Sequence, residues 1–359
     1  MPAAVARLGV ATTGLAVLWT VAGTQGYGRA GAAAGAFAIA DAVAGPQLAR
    51  LIDRWGQRRV VSVSGAVFVA AGLALALADR AAPAEVVIGL AAAAGATLPP
   101  VGALAAARWR AVAPAEVLPA ALSAEGAVND AAFLIGPVLA TTGGLPVAMG
   151  LVAAGLLGLL TANTGEPPPA GQRGRRPRAV LFAVNLEMGL YFGGIGVAVT
   201  ASAGALGGPV MAVASVVSLG AGLAYGAFER GRPARVMLAA GLAITAGCAL
   251  LALASNLATL LAGYALVGGC VALVLIPASV LLQPATVRTM TWMNSASALG
   301  IAVAAPVIGR VVERHGPPAG FLALAGLTAT LPLTLLITRR FRRWTWRRRG
   351  RPSSRTSRR

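Results

Sequence analysis

Apolar runs about 20 residues long alternate along the chain with short breaks of arginine, proline and glycine. A helix that crosses a bilayer needs about 20 largely apolar residues. Runs of that kind fall at 8–25, 30–52, 60–78, 84–107, 117–141, 146–164, 180–204, 207–228, 235–254, 257–283, 289–312 and 317–338. The pattern predicts an all-α integral membrane protein with twelve transmembrane helices. The first run is short and follows only Arg7, which gives it the look of a signal peptide. No A-x-A-like site follows it and the second run begins almost at once, so a retained helix is expected.

Arginine placement sets the orientation, because loops rich in Arg stay on the cytoplasmic side. With twelve spans and both termini cytoplasmic, 26 of the 30 arginines fall inside, among them Arg7, Arg108, Arg110, Arg235 and Arg288. Only Arg29, Arg80, Arg310 and Arg314 are left outside. Removing or adding one helix would destroy this segregation. The tail RRFRRWTWRRRGRPSSRTSRR is expected to be a disordered cytoplasmic end that fixes orientation. Contact with anionic lipid through its arginines, Trp344 and Trp346 is the lesser reading.

Composition narrows the chemistry. Of 359 residues 57% are hydrophobic and 11% charged, where a soluble protein carries about 25% charged residues. The net charge of +19 could suggest nucleic acid, but the topology explains its placement and no nucleic-acid partner is expected. Lysine is absent, which excludes a Walker A lysine and a Schiff base. His315, Cys248 and Cys270 cannot build a zinc site, and both cysteines read as small buried membrane residues. No nucleophile–base constellation appears, so no enzyme and no cofactor are expected.

The polar, proline-rich stretch EPPPAGQRGRRPR divides the spans six and six. This gives an N-terminal bundle over 1–164, a linker over 165–179, a C-terminal bundle over 180–338 and a tail over 339–359. The halves echo each other. Asp53-Arg54 after span 2 answers Glu229-Arg230 after span 8, and Gly136-Pro137 in span 5 answers Ala305-Pro306 in span 11. Parallel six-helix repeats point to two bundles with a site between them.

The stretch LARLIDRWGQRRV resembles the signature loop between helices 2 and 3 of the major facilitator superfamily, G-x-L-a-D-R-x-G-R-R/K. Asp53, Arg54, Gly56, Arg58 and Arg59 match it, while Ala49 stands in place of the leading glycine. The second copy, AYGAFERGRPARV, keeps Glu229 and Arg230 with displaced glycines. Span 5, with Glu125, Asp130, Gly136 and Pro137, is similar to a bacterial, actinobacterial-like branch, and so is span 11. The N-terminus looks several residues short of that pattern. The resemblance implies two six-helix bundles related by a pseudo-two-fold axis, a gate formed by Asp53, Arg54 and Arg58, and residence in a bacterial inner membrane. GRVVERHG, Gly309 to Gly316, matches the acid–arginine–glycine pattern better than the 8–9 loop does, yet the topology places it outside. It is expected to be the repeat-equivalent of the 5–6 corner, TTGGLP.

An aspartate in the 2–3 loop can cap a helix end and meet the positive N-terminus of a neighbour. A glycine at Gly56 allows the tight turn. Acids within spans cost about 2.5–3.5 kcal/mol at a helix centre, which marks Asp41, Glu125, Asp130 and Glu187. At 100° per residue Glu125 and Asn129 share a face and Asp130 lies about 100–140° away. One of the two acids is therefore expected to line a cavity while the other pairs between helices. Glu187 and Tyr191 share a face of span 7, and Asn294 is an uncharged candidate in span 11. Carboxylates that bind and release a proton are what a proton-coupled carrier needs. The expected function is alternating access driven by a proton gradient, with efflux of a small compound favoured over uptake. A transport-inactive sensor or scaffold is the alternative. The partners are a small molecule and the bilayer, with a monomer as default.

Overall fold

The computed structural model describes residues 2–78, 81–114, 116–161, 179–228, 233–281 and 287–336. Within them lie α1 (Pro2–Gln25), α2 (Tyr27–Trp55), α3 (Gln57–Leu77), α4 (Ala84–Ala96), α5 (Val101–Val112) and α6 (Leu118–Thr161). They are followed by α7 (Ala179–Ala203), α8 (Gly207–Phe228), α9 (Pro233–Leu251), α10 (Leu257–Leu281) and α11 (Val287–Thr328). No strand occurs among the described residues. The linker at 165–178 and the tail from 337 lie outside them.

Two helices are too long to be single spans. At 1.5 Å per residue the 44 residues of α6 would reach about 66 Å, twice a bilayer core. They do not, because Gly144 adopts φ 59° and folds the helix into two arms. The first arm runs parallel to α1, placing Gly136 against Ala11 and Thr12 and Gly144 by Thr20. The second arm runs back, bringing Gly155 to Ala6 and Gly158 to Pro2. Helix α11 does the same at Gly316, φ 80°, which sets Gly320 against Val312. Its second arm continues through 330–336. A third positive-φ glycine, Gly204 at 55°, turns α7 into α8. Nine apolar segments are long enough to cross a membrane among the described residues, and three of them contain these turns. Each of these three segments thus reverses direction within itself.

Span 4 departs from its run at 84–107. It is broken into α4 and α5 because Pro99 and Pro100 lack the N–H groups a helix needs and crowd the preceding turn. Thr97 closes α4 by bonding the Ala93 carbonyl with its hydroxyl at 2.7 Å. Helix α1 also starts earlier than its run at 8, taking in residues 2–7.

Helices α1–α6 pack on one another, and so do α7–α11. Helix α1 lies along both arms of α6, and α7 along both arms of α11. Small residues allow the close approach, as where Gly189 and Gly193 of α7 meet the backbone at Ser297 and Ile301. Equivalent contacts recur in the two sets: Gly65 of α3 packs on Leu156, and Gly241 of α9 on Leu331. The sets join along α2 with α11 and α6 with α8. Interior positions are taken by Phe68, Leu75, Met149, Met188, Met237, Ile308 and Leu324. Leu77, Leu223, Leu253 and Leu266 point outward, so both faces of most helices are apolar, as in a bilayer-embedded bundle. Thr12, Thr13 and Thr200 satisfy their hydroxyls on the carbonyl four residues back, which needs no water.

Candidate functional site

The bundle has two ends: the near face, where α2 passes to α3 at Gly56, and the far face, which carries Gly26, Gly144, Gly204 and Gly316. The near-face turn is as tight as a turn can be. Gly56, φ 82°, is its single non-helical residue, and its N–H bonds the Ile52 carbonyl at 3.0 Å. A β-carbon is disfavoured at that φ, so glycine is required. Asp53 and Arg54 occupy the last turn of α2 and Arg58 and Arg59 the first turn of α3, all exposed. Asp53 caps no helix. Gly56 is the N-cap of α3 with no side-chain bond, and Asp53 makes no ion pair with a described residue. That corrects the expected capping role; the reason is that the one-residue turn leaves Asp53 inside α2. Arg58 and Arg59 sit at the positive end of α3, where the helix dipole disfavours them. Their placement serves something other than helix stability. Glu229 and Arg230 lie outside the described residues.

Gly136 and Pro137 belong to the first arm of α6. Gly136 is buried against α1, whereas the Pro137 carbonyl meets Gly208 of α8 across the junction of the two sets. The pair therefore lies where one set bears on the other.

The acids separate into different roles. Arg7, counted above among the loose near-face arginines, is only 6% exposed and forms an ion pair with Glu125 of α6. Its Nη1 also donates to the Glu125 carbonyl at 2.8 Å. Trp109 of α5 donates its indole N–H to Glu125 Oε2 at 3.1 Å. Both Glu125 oxygens are thus engaged, and the group ties α1, α5 and α6 together near one face. The sequence placed Glu125 within a span and Arg7 just ahead of one, and nothing in the chain order says that α1 lies on α6. Asp130 follows in α6, with its side chain outside the described set, and Asn129 is half-buried.

Glu187 of α7 is 6% exposed. The Thr334 hydroxyl donates to its Oε1 at 2.7 Å, and its Oε2 is buried without a hydrogen-bond partner. No cation pairs with it among the described residues. Tyr191, one turn on, is buried too, with its ring edge-on to Phe192 and its hydroxyl toward Tyr264 without a well-formed hydrogen bond. Both side chains point into the interior of the second set. Asn185 points elsewhere, to Met293 Sδ of α11 at 3.2 Å. Asp41 is half-buried in α2, one residue before Ala42, whose carbonyl accepts from Ser295 of α11 at 3.3 Å. Asn294 is exposed. A pocket of about 340 Å³ opens at the far end of the second set, lined by Leu206, Asn256, Leu257, Pro317 and Phe321, and none of the candidate residues touches it. No cluster of metal-ligating side chains occurs among the described residues.

No protein-family model and no curated protein matches the sequence. Solved structures do match. The nucleoside transporter NupG, as a D323A mutant, superposes with a TM-score of 0.72 at 14% identity, covering 94% of this chain and 99% of that one. An inward-open conformation of the xylose transporter XylE from E. coli gives 0.70 at 11% identity, covering 93% and 94%. The human organic anion transporter MFSD10 gives 0.62 at 16% identity, covering 93% and 98%. The chain has the fold of these transporters, the major facilitator fold.

Proposed function

We propose that the protein is a secondary active transporter that works by alternating access, with helices α1–α6 and α7–α11 as two bundles rocking about a site between them. One observation carries this reading: the sets share most of their contacts internally and join chiefly along α2 with α11 and α6 with α8, with slighter contacts of α7 to α1 and α2. Close approaches between them lie toward the far face, from Gly31 and Gly35 on Ala305 and Ala302 to Pro137 on Gly208. These close approaches support a state closed at the far face, in which access would be from the near one. Likeness to an inward-open xylose transporter supports that state, with the near face cytoplasmic. The arginines at 50, 54, 58 and 59 support the same orientation. A multi-pass protein of a bacterial inner membrane follows from this reading.

Proton coupling is assigned to Glu187. An unpaired charge is costly in an apolar bundle, and a carboxyl group with one bonded and one unpartnered oxygen suits taking up and giving back a proton. A D-xylose–proton symporter shares the fold at a TM-score of 0.66. Asp130 and Asp41 are the further candidates. The latch role of Asp53, Arg54 and Arg58 belongs to the opposite state, in which the near face closes. Export of a small amphiphilic compound is the favoured direction, because Gly136-Pro137 partly resembles the antiporter pattern.

The test is proteoliposomes with an imposed pH gradient, an interior pH dye and a compound panel applied on either side. A transported compound moves protons in the wild type, and its entry or exit reads the direction. Glu187→Gln lowers gradient-driven flux about tenfold or more while substrate exchange persists. Unchanged driven flux in that variant rejects the assigned carrier, and a wild type that moves no compound rejects the transporter reading.

A further inference from the structure

The stretch GRVVERHG, Gly309 to Gly316, repeats the acid–arginine–glycine pattern of the near-face turn but lies at the far end of the first arm of α11. Its glycines have structural tasks. Gly316 makes the turn at φ 80°, and Gly309 packs on the Tyr27 carbonyl and Gly31 of α2. Its acid does something the near-face turn does not. The Glu313 carboxylate crosses to the other set of helices and lies over the first turn of α2. There, Gly26 (φ 87°) and Gly28 leave it a notch. A β-carbon on Gly26 would come within 2.7 Å of Oε1, and one on Gly28 would overlap Oε2. The first-turn N–H groups of a helix have no partners within it, and the helix dipole adds positive potential there. A carboxylate at that position is attracted without any cationic partner.

Directly below the notch the two helices meet through small residues. Gly31 and Gly35 lie on Ala305, Ala302 and Pro306, then Ala38 on Ala298 and Ala302, then Ser295 bonds the Ala42 carbonyl. The seam is made largely of small residues, which lets it part cleanly, and Glu313 sits at its outer end.

We propose that Glu313 is the far-face latch of the protein: its carboxylate, seated on Gly26 and Gly28 at the N-terminus of α2, holds the α2–α11 seam shut and is released when that face opens. This rests on the alternating-access reading, in which the seam must open once per cycle. The contact joins the two bundles and is made only while they are closed at this end, so it weights the equilibrium toward the state seen here.

The test reads the seam directly and needs no substrate. In the full chain with Cys248→Ala and Cys270→Ala, cysteines replace Ala38 and Ala302, and the rate of oxidative cross-linking is followed in membranes. Glu313→Gln removes the charge while keeping the shape, and Gly28→Ala fills the notch. Each slows cross-linking by roughly two- to fivefold, the size expected of a charge at a helix terminus. Arg314→Gln, one residue away and outside the notch, leaves the rate unchanged. Raised salt slows the parent protein toward the Glu313→Gln rate, because the group is exposed and its field is screened. Unchanged rates in both Glu313→Gln and Gly28→Ala overturn the latch, as does an equal loss in Arg314→Gln. A chain that cross-links as expected but moves no compound rejects transport alone. One that transports and is indifferent to Glu313→Gln rejects the latch alone.

Discussion

Arg7 and Glu125 show how this chain tolerates charge inside a bundle. Their side chains are 7% and 17% exposed, and Trp109 and a backbone carbonyl complete the set of partners. Removing one member of such a pair strands the other, at a cost of about 3–5 kcal/mol, whereas replacing both by apolar groups is often neutral. Arg7→Met is therefore expected to lower the thermal midpoint in detergent sharply, and Arg7→Met with Glu125→Leu to recover most of the loss. A single variant as stable as the parent would show that the pair is not held. The sequence singled out Glu125 correctly as a costly acid but left its role open between cavity and pairing. Periodicity gives the face a residue occupies, not the helix that faces it, and here the partner lies 118 residues away. Tyr191 shows the same limit. Sharing a face with Glu187 placed it beside a carboxylate, but that face turns out to be the packed interior.

Among the elements, glycine does two separable jobs, and substitutions can tell them apart. Gly189 lies where a β-carbon would meet the Ser297 backbone, so Gly189→Ala must push α7 off α11. Gly89 in α4 has nothing within 4 Å, and alanine there gains helix propensity of about 1 kcal/mol. Folded yield and thermal midpoint should fall in the first variant and hold or rise in the second; equal behaviour would contradict the packing. At Gly144 the constraint is the backbone itself. With φ 59° and ψ −156°, a region essentially confined to glycine, Gly144→Ala is expected to cost about 1–3 kcal/mol whatever its neighbours, seen as a lower midpoint with unchanged helix content. The apolar runs located nearly all the elements, because about 20 apolar residues have little choice in a bilayer. Hydropathy alone reads span 4 as continuous, and it is the proline pair Pro99-Pro100 that marks the bend, which in the structure is a full break between α4 and α5. The apolar runs also could not show how short the turns are. TTGGLP and RHGPP each pair a positive-φ glycine with a proline at the start of the next arm, a helix-opening arrangement that permits an immediate reversal.

For the whole molecule, charge sets the expectation of which face looks into the cell. Near-face positions hold Arg50, Arg54, Arg58, Arg59, Arg108, Arg235 and Arg288, while Arg29, Arg310 and Arg314 lie toward the far face. Arginine-rich loops resist translocation, so the near face should be cytoplasmic. Two single cysteines in a background of Cys248→Ala and Cys270→Ala test this in intact cells. His315→Cys, exposed beside the Gly316 turn, should react with a membrane-impermeant maleimide added outside. Arg54→Cys, exposed in the last turn of α2, should react only after the cells are permeabilised. Reversed labelling would invert the orientation and leave the fold intact. Labelling of both from outside would mean an even number of passes between them, against the odd number that α3 through the first arm of α11 makes with the folded arms of α6. The orientation also bears on the latch. If His315 is outside, then Glu313 closes the external face while the turn at Gly56 is placed to close the internal one. The two acid–arginine–glycine sequences would then guard opposite ends of one path.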